Sequence, residues 1–205
     1  MMAEPARKLA TYVDIESAPE GVIAEIIDGE LVTQPRPTPR HNAAAGNLAS
    51  ELSGPFQKGR GGPGGWVFLF ETEVKFGDDI LVPDVSGWRS ERLIAYPDTN
   101  YLTIRPDWVC EVLSRSTEVR DRTAKRRIYA EAGVPYLWLI DPRQQLLEAF
   151  ALSAGQWTLI GTWRSAESVR AAPFDAISFS LADLWPLDKP LGFNESAQSL
   201  YAGDR

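Results

Sequence analysis

Residues 106–141 contain two apolar strands joined by a helical pattern, and this arrangement constrains the fold most. The first strand is PDWVCEVLS, the helix is STEVRDRTAKRRIYAEAG, and the second strand begins VPYLWLID. A helix that connects two strands of one sheet makes those strands parallel. The helix is predicted to start at Ser116 or Thr117, either of which can cap it, and to end at Gly133. The chain is therefore predicted to have an α/β fold.

The other strands are predicted from alternating or apolar runs bounded by turn residues. Asp28-Gly29 joins two strands in IAEIIDGELVTQ, and QLLEAFAL pairs with GQWTLIGTW in a second antiparallel hairpin. Further strands are expected in GWVFLFETEVKF, ILVPDVSGWRS and SFSLADLWP, the last followed by a short helix. Residues 41–53 are predicted to form a helix, and the glycine-rich segment after it a mobile connection. We expect one domain over residues 1–205, with a core at about 20–187 and loose termini, including roughly the last fifteen residues.

Glu111 is the one residue that does not suit its strand. Trp108, Val109 and Cys110 before it and Val112 after it are apolar, so its carboxylate is expected to lose water. An unpaired buried charge costs several kcal/mol or more. On a helical wheel Lys125 shares a face with Asp121, Ile128, Ala132 and Tyr129. Lys125 can point outward to solvent, or it can reach Glu111.

Asp84 is a second acid in an apolar setting, directly after a proline in LVPDVSGW. Two carboxylates on neighbouring strands repel each other unless a cation or a shared proton intervenes. Oxygen ligands favour magnesium or manganese. The chain has a single histidine and a single cysteine, which excludes a zinc site built from several of them.

Composition limits the remaining classes of function. The lone Cys110 excludes an internal disulfide, and no secretory or membrane-spanning segment is evident, so we expect a cytoplasmic protein. The net charge of −7 counts against tight, nonspecific binding of DNA by the isolated chain. Metal ions that bridge carboxylates to phosphates can still allow an acidic nuclease.

Several other residues have simpler interpretations. His41 is expected to be a solvated residue at a helix start, and Cys110 and Tyr129 are expected to pack in the core. Asp121 is expected to form a local ion pair with Lys125. Glu71 and Glu73 alternate with apolar residues and are expected on the solvated face of a strand.

The combined motifs resemble a known family. VPD, the strand CEVLS, the segment DRTAKRRIYAEAGVPYLWLIDP, the hairpin EIIDGELV, His41 and the ending FDAISFSLADLWP are together similar to the Uma-type family of restriction endonucleases. That family lies within the PD-(D/E)xK nuclease superfamily. The resemblance runs from about residue 20 to residue 187 and implies a mixed β-sheet flanked by helices.

The resemblance also implies a set of site residues. Asp84, Glu111 and the backbone carbonyl of Val112 would be metal ligands. The superfamily lysine is expected at position 113, where this chain has leucine, and Lys125 on the following helix would replace it. Glu25 would be a possible additional acid, or equally a surface residue of the hairpin.

These observations predict a Mg²⁺- or Mn²⁺-dependent endonuclease that hydrolyses DNA. We expect a homodimer, because two sites must reach two strands, and no membrane partner. The alternative is a catalytically inactive protein that keeps the nuclease fold for binding or regulation, because fold does not determine function. A nuclease for RNA or for branched DNA ends is a weaker third possibility.

Overall fold

The computed structural model describes residues 9–188. The helices are α1 (Tyr12–Glu16), α2 (Pro39–Leu52), α3 (Glu118–Arg120) and α4 (Arg126–Glu131). The expected loose C-terminus falls mostly outside the described residues. At the N-terminus, α1 packs against the rest of the protein, and its Ile15 is buried in a small cluster with Ala24 and Ile26.

A six-stranded sheet forms the centre of the protein, with the strand order β10-β9-β8-β7-β6-β3. β7 and β8 are parallel, as the connecting helix predicted, and the other neighbouring strands are antiparallel. This confirms the mixed sheet. Its strands are β3 (Trp66–Phe70), β6 (Val85–Arg89), β7 (Trp108–Val112), β8 (Tyr136–Asp141), β9 (Leu146–Ser153) and β10 (Gln156–Arg164).

A four-stranded sheet lies beside it, with the order β2-β1-β5-β4. The predicted hairpin at Asp28-Gly29 is present, and both turn residues have positive φ. The strands are β1 (Val22–Ile27), β2 (Glu30–Pro35), β4 (Val74–Phe76) and β5 (Asp79–Leu81). A separate pair is formed by β11 (Ser168–Val169) and β12 (Phe179–Ser180), and a short 3₁₀ helix follows at Leu181–Leu184.

Two of the predicted strands are each divided between the two sheets. GWVFLFETEVKF breaks after β3 at Glu71, which has a φ of 42°, and continues as β4. ILVPDVSGWRS breaks between β5 and β6, at Val82–Asp84 around Pro83. Asp84 therefore lies in the crossing between the sheets. The sequence had predicted it inside a continuous strand, and that prediction was wrong.

The predicted helix after β7 is present, but it is not a uniform α-helix. A π-helical segment, Asp121–Lys125, separates α3 from α4. Thr117 occupies the N-cap position without a side-chain capping bond, and the hydroxyl of Ser114 accepts a hydrogen bond from the Thr117 N–H at 3.3 Å. The helix ends before Gly133, whose φ is 73°. Single-turn π segments inside α-helices often occur at functional sites.

The glycine-rich connection begins later than predicted. Ser53–Gln57 extend α2 as a π-helical turn, and Phe56 is buried against the core. Only the residues from 58 to 65 form a connection without regular structure.

The two faces of β7 enter two different hydrophobic clusters. Trp108, Cys110 and Val112 pack on one face with Trp138, so the interpretation of Cys110 as a packing residue is confirmed. Val109 and Leu113 belong to the cluster on the other face, which contains Ile128 and Tyr129. Because side chains alternate along a strand, Glu111 points to this second face, toward the π-helical segment. No helix within residues 9–188 is long and apolar enough to cross a membrane.

Phe174 lies at the centre of the aromatic core below β7. Its ring centroid lies within 5.5 Å of the rings of Phe56, Trp66, Phe68, Trp108 and Trp138. We expect Phe174→Ala to lower the free energy of unfolding by about 3–5 kcal/mol, because it leaves a cavity among rigid rings. Urea titration measures this loss. Ile94→Ala, at a side chain that is 85% exposed, is the control and should change stability by less than about 0.5 kcal/mol. Equal effects of both variants would contradict this prediction.

Candidate active site

Asp84, Glu111, Val112 and Lys125 of the predicted site residues line one small cavity, which we call the acid cavity, whereas Glu25 is not part of its lining. The cavity has a volume of about 70 Å³, and its walls include Asp84, Glu111, Asp121, Lys125 and His41. Its residues come from the crossing before β6, from β7, from the π-helical segment and from the start of α2. Segments that are distant in the sequence therefore meet at this point.

Lys125 is the centre of a buried network of charges. Its ammonium Nζ lies 2.8 Å from Oε1 of Glu111, 3.1 Å from Oε1 of Glu25 and 3.8 Å from Oδ1 of Asp121. Lys125 is only 1% exposed, so it does not extend to solvent. The helical wheel allowed Lys125 either to point outward to solvent or to reach Glu111, and the structure shows the contact with Glu111. The expected pairing with Asp121 is present but is the longest of the three contacts.

Burial and mutual charge set the pKa values of this network. Burial lowers the pKa of Lys125, but the surrounding carboxylates outweigh it and hold the pKa well above its ordinary value. Burial raises the pKa of Glu111 well above its usual range, although Lys125 acts to lower it. Burial also raises the pKa of Asp121 to about 6, against the opposing effects of Lys125 and Thr117. One lysine thus serves three carboxylates, and the network has more acid groups than basic ones.

Glu25 is a buried member of this network and not a surface residue of the hairpin. It lies on β1, and it is 1% exposed. Its Oε1 accepts a hydrogen bond of 2.8 Å from the N–H of Val82 as well as the contact with Lys125. Its Oε2 is buried without a hydrogen-bond partner among the described residues. Glu25 therefore ties the smaller sheet to the helix through Lys125.

Tyr129 has a polar contact in addition to its packing role. The residue is fully buried, as predicted, and its ring packs against that of Phe76. Its hydroxyl also donates a hydrogen bond to Oε1 of Glu111, the same oxygen that Lys125 contacts. The sequence contained one signal for this contact. Tyr129 lies on the same helical face as Lys125, and a residue that only packs there could equally be phenylalanine, without a hydroxyl group.

Asp84 also lines the acid cavity, and it is held there by Val112 and His41. Its Oδ2 accepts a hydrogen bond of 2.7 Å from the N–H of Val112 and lies 3.3 Å from Nε2 of His41. The Val112 contact fixes the carboxylate against the end of β7, which carries Glu111.

His41 is a site residue that the sequence interpretation missed. It was expected to be solvated, but it is only 9% exposed and faces Asp84. Burial lowers its pKa, but the hydrogen bond to Asp84 and the charge of Asp84 outweigh burial and raise it. His41 lies in the first turn of α2, and its side chain reaches the end of β7, where it forms a hydrogen bond with the Val112 backbone. A lone histidine in a helix start gives no sign of such packing.

The donor atoms agree in kind with a hard divalent cation. Within residues 9–188, no group of three or more His, Cys, Asp or Glu side chains is arranged to hold a metal ion. A Mg²⁺ site, however, needs only one or two carboxylates, since water completes its coordination. Asp84 and Glu111 supply two carboxylates beside one cavity. The Val112 N–H donates to Asp84, and the Val112 backbone also forms a hydrogen bond with His41. The role of the Val112 carbonyl as a metal ligand stays a prediction.

Glu71 and Glu73 are not part of the acid cavity. They lie in the break between β3 and β4, so the predicted strand position was wrong. Glu71 pairs with Arg36 at 3.2 Å, and Glu73 accepts a hydrogen bond of 2.7 Å from the hydroxyl of Tyr12. Both line a separate cavity of about 360 Å³ beside β1.

Replacement of Lys125 tests the buried network. Lys125→Met leaves Glu25 and Glu111 buried without their cation, so we expect a loss of about 3–5 kcal/mol in the free energy of unfolding near neutral pH. Because Lys125 lowers the pKa of Glu111, its removal raises that pKa further. The folded variant then binds a proton that the unfolded chain releases, and its stability falls as pH rises.

The measurement is urea unfolding in EDTA at about pH 5 and about pH 8. The deficit of Lys125→Met relative to the native protein should be larger at the higher pH. Lys58→Met, at an exposed lysine, is the control and should show no such dependence. A deficit that stays constant with pH would contradict the assigned network.

Comparisons with known proteins identify a similar fold and a family for this chain. A solved structure described as a "putative nuclease belonging to DUF820" from Anabaena variabilis matches with a TM-score of 0.66 and 24% identity, over 80% of this chain and 89% of that chain. This likeness shows the fold. A search of curated proteins finds no match. The family model "Uma2: Putative restriction endonuclease" matches residues 9–182, a longer span toward the N-terminus than the sequence resemblance indicated. The chain therefore belongs to the Uma2 family.

Proposed function

We propose that this protein is a metal-dependent endonuclease that hydrolyses phosphodiester bonds of DNA. The family and the fold support a nuclease that acts on nucleic acid. The observation that carries the finer proposal is the meeting of Asp84, Glu111 and Lys125 at one cavity, although 41 positions of sequence separate the first from the last. Two carboxylates for a cation and one ammonium beside them are the groups that phosphodiester hydrolysis needs.

Asp84 and Glu111 would hold Mg²⁺ or Mn²⁺, with the carbonyl of Val112 as a further ligand. When bound, the cation supplies Lewis-acid stabilisation of negative charge on the phosphate and lowers the pKa of a bound water. Because the chain is acidic overall, this cation also offsets repulsion between the cavity and the substrate.

Lys125 would orient the attacking water and stabilise the negative charge that develops on the phosphate. Two carboxylates within 3.1 Å keep its ammonium charged. It therefore acts as a hydrogen-bond donor and not as a proton acceptor. In the net reaction the water oxygen bonds to phosphorus, the bond to the leaving oxygen breaks, and that oxygen gains a proton.

Glu25 and Tyr129 would position these groups. Glu25 holds Lys125 from the smaller sheet, and its own Oε1 is fixed by the Val82 N–H. Tyr129 fixes Oε1 of Glu111. Rigid support of this kind keeps reacting groups within a narrow range of positions.

The acid cavity also suits an alternative function, a catalytically inactive protein that binds nucleic acid or regulates a partner. The supporting observation is that Lys125 already balances Glu111 and Glu25, and His41 already contacts Asp84. The fold then needs no cation for its own stability, so the acids can persist without turnover.

A homodimer remains part of the nuclease proposal. Each chain has one acid cavity, which can act on one DNA strand at a time. Cleavage of both strands of a duplex in a single binding event therefore requires two copies of the chain. Sedimentation equilibrium tests this directly, and a monomer that cuts both strands together would contradict it.

Plasmid cleavage distinguishes the nuclease from the inactive alternative. The native protein should convert supercoiled plasmid to nicked or linear forms with Mg²⁺ or Mn²⁺ and not with EDTA. Asp84→Ala should abolish conversion, because it removes a cation ligand, and Lys125→Met should slow it by at least about 10²-fold. Asp98→Ala, at an exposed acid of the loop after β6, is the matched control and should cleave normally.

Each outcome of this experiment has a clear meaning. Asp84→Ala protein that cleaves as fast as the native protein would refute the site. A folded native protein that cleaves neither plasmid nor single strands with either metal would favour the binding protein. Cleavage of RNA alone would correct the substrate.

Binding of the cation can be measured without turnover. At free Mg²⁺ about 100-fold above its Kd, the native protein should gain about 2.7 kcal/mol of stability, because the cation binds only the folded state. Thermal unfolding in Mg²⁺ and in EDTA measures this gain as a rise in Tm. Asp84→Ala should lose the rise and Asp98→Ala should keep it. The same rise in both variants would show that the cation binds elsewhere.

A further inference from the structure

A second cavity shares a wall with the acid cavity and has the opposite chemistry. Its volume is about 310 Å³, and it is bounded by Arg40, Arg115 and Arg143 together with Ser114 and Ser116. We call it the arginine cavity. No carboxylate is among the described residues that line it. The guanidinium groups of three arginines thus border one depression of a chain whose net charge is −7.

The two cavities are contiguous. Thr38, His41, Ser114 and Ser116 line both of them. The cause is the topology of the six-stranded sheet, because the parallel strands β7 and β8 end at the same edge. Ser114 and Arg115 follow β7, and Arg143 follows β8. Ligands of α/β sheets commonly bind outside the carboxyl ends of parallel strands.

Two of the three arginines are held in place by carboxylates outside the lining. Arg40 donates to Asp188, with 2.9 Å from Nη2 to Oδ1. Arg143 donates to Asp141 at 2.9 Å and to Glu118 at 2.6 Å. These pairs restrict the guanidinium groups to one orientation, so less conformational entropy is lost when they meet a ligand.

Arg115 differs from these two arginines. It is exposed, and its side chain has no hydrogen-bond or ion-pair partner within residues 9–188. It follows Ser114, whose hydroxyl lies 3.0 Å from that of Ser116 and 3.0 Å from that of Thr117. A free guanidinium beside hydroxyl groups that can donate hydrogen bonds is the chemistry that phosphate oxygens bind.

We infer that the arginine cavity binds a backbone phosphate of the nucleic acid next to the phosphate that enters the acid cavity. This inference rests on the proposed function, since it names the second contact of the same substrate. The arrangement separates two roles. The acid cavity needs a cation to accept a phosphate, whereas the arginine cavity binds one directly and sets the position of the strand.

Arg115→Gln is the variant that tests this subsite. Because the side chain of Arg115 is exposed and forms no hydrogen bond or ion pair within residues 9–188, its loss should leave the Tm unchanged. Arg60→Gln is the matched control, also at an exposed arginine. Arg60 follows the C-terminal end of α2, while the arginine cavity lies at the start of α2. That helix has 14 residues and so separates the two positions by about 20 Å.

The readout is fluorescence anisotropy of a short labelled DNA duplex in EDTA, at several KCl concentrations between about 50 and 200 mM. Arg115→Gln should bind about tenfold more weakly than the native protein. The slope of log K against log salt should fall in magnitude by about 1. Arg60→Gln should match the native protein in both. If the native protein binds DNA only in the presence of Mg²⁺, the KM of plasmid cleavage is measured in place of the anisotropy. Arg115→Gln should then raise KM with little change in kcat.

The results separate this inference from the proposed function. If the native protein cleaves DNA and Arg115→Gln behaves like Arg60→Gln, the subsite is wrong and the nuclease stands. If the native protein binds DNA without cleaving it, the nuclease fails, and the comparison of Arg115→Gln with Arg60→Gln still decides the subsite. Equal losses in both variants would show general charge attraction and would also overturn the subsite. If the native protein neither binds nor cleaves DNA, the proposed function and the subsite both fail.

Discussion

The buried ammonium of Lys125 joins three parts of the chain that meet only in the folded protein. It contacts Glu111 on the central sheet, Glu25 on the smaller sheet and Asp121 within its own helix. A charge in this position loses its hydration, and only partners at contact distance replace it. The packing of the helix against both sheets therefore depends on these carboxylates, and the carboxylates depend on the lysine. Such mutual dependence makes the network a constraint on the fold as well as a set of reactive groups.

The π-helical segment explains how one short helix supplies both buried charges. Asp121 and Lys125 are its first and last residues, and both are buried. A wheel of 100° per residue predicted that they share a face with Ile128 and Tyr129, and the structure agrees. The wheel could not predict the wider turn between them, because the choice between i−4 and i−5 hydrogen bonds depends on what the side chains meet. Here they meet Glu111 and Glu25, which belong to distant strands.

Features that depend on local sequence patterns could be predicted from the sequence, whereas features that depend on tertiary packing could not. β7, β8, their parallel pairing and the burial of Glu111 followed from apolar runs and a connecting helix. The two strands that divide between sheets did not, because Phe70 to Val74 and Leu81 to Val85 read as continuous patterns. Their breaks at Glu71 and Pro83 arise where the chain changes sheets. His41 and the hydroxyl of Tyr129 were missed for the same reason, since each takes its role from a partner far away in the sequence.

Net charge proved to be a poor guide to the distribution of charge. The chain has 28 acidic and 21 basic residues, yet three of the acids are buried around Lys125, Asp188 orients Arg40, and the buried Asp141 orients Arg143. Several acidic side chains thus hold lysine and arginine side chains in position. In the proposed subsite, a substrate near the end of β7 would meet the exposed Arg115 and two fixed guanidinium groups at close range. Contacts at that distance are screened less than the charge of the remote surface, so the local field at the sheet edge, more than the sum over the chain, would govern the approach of a phosphate.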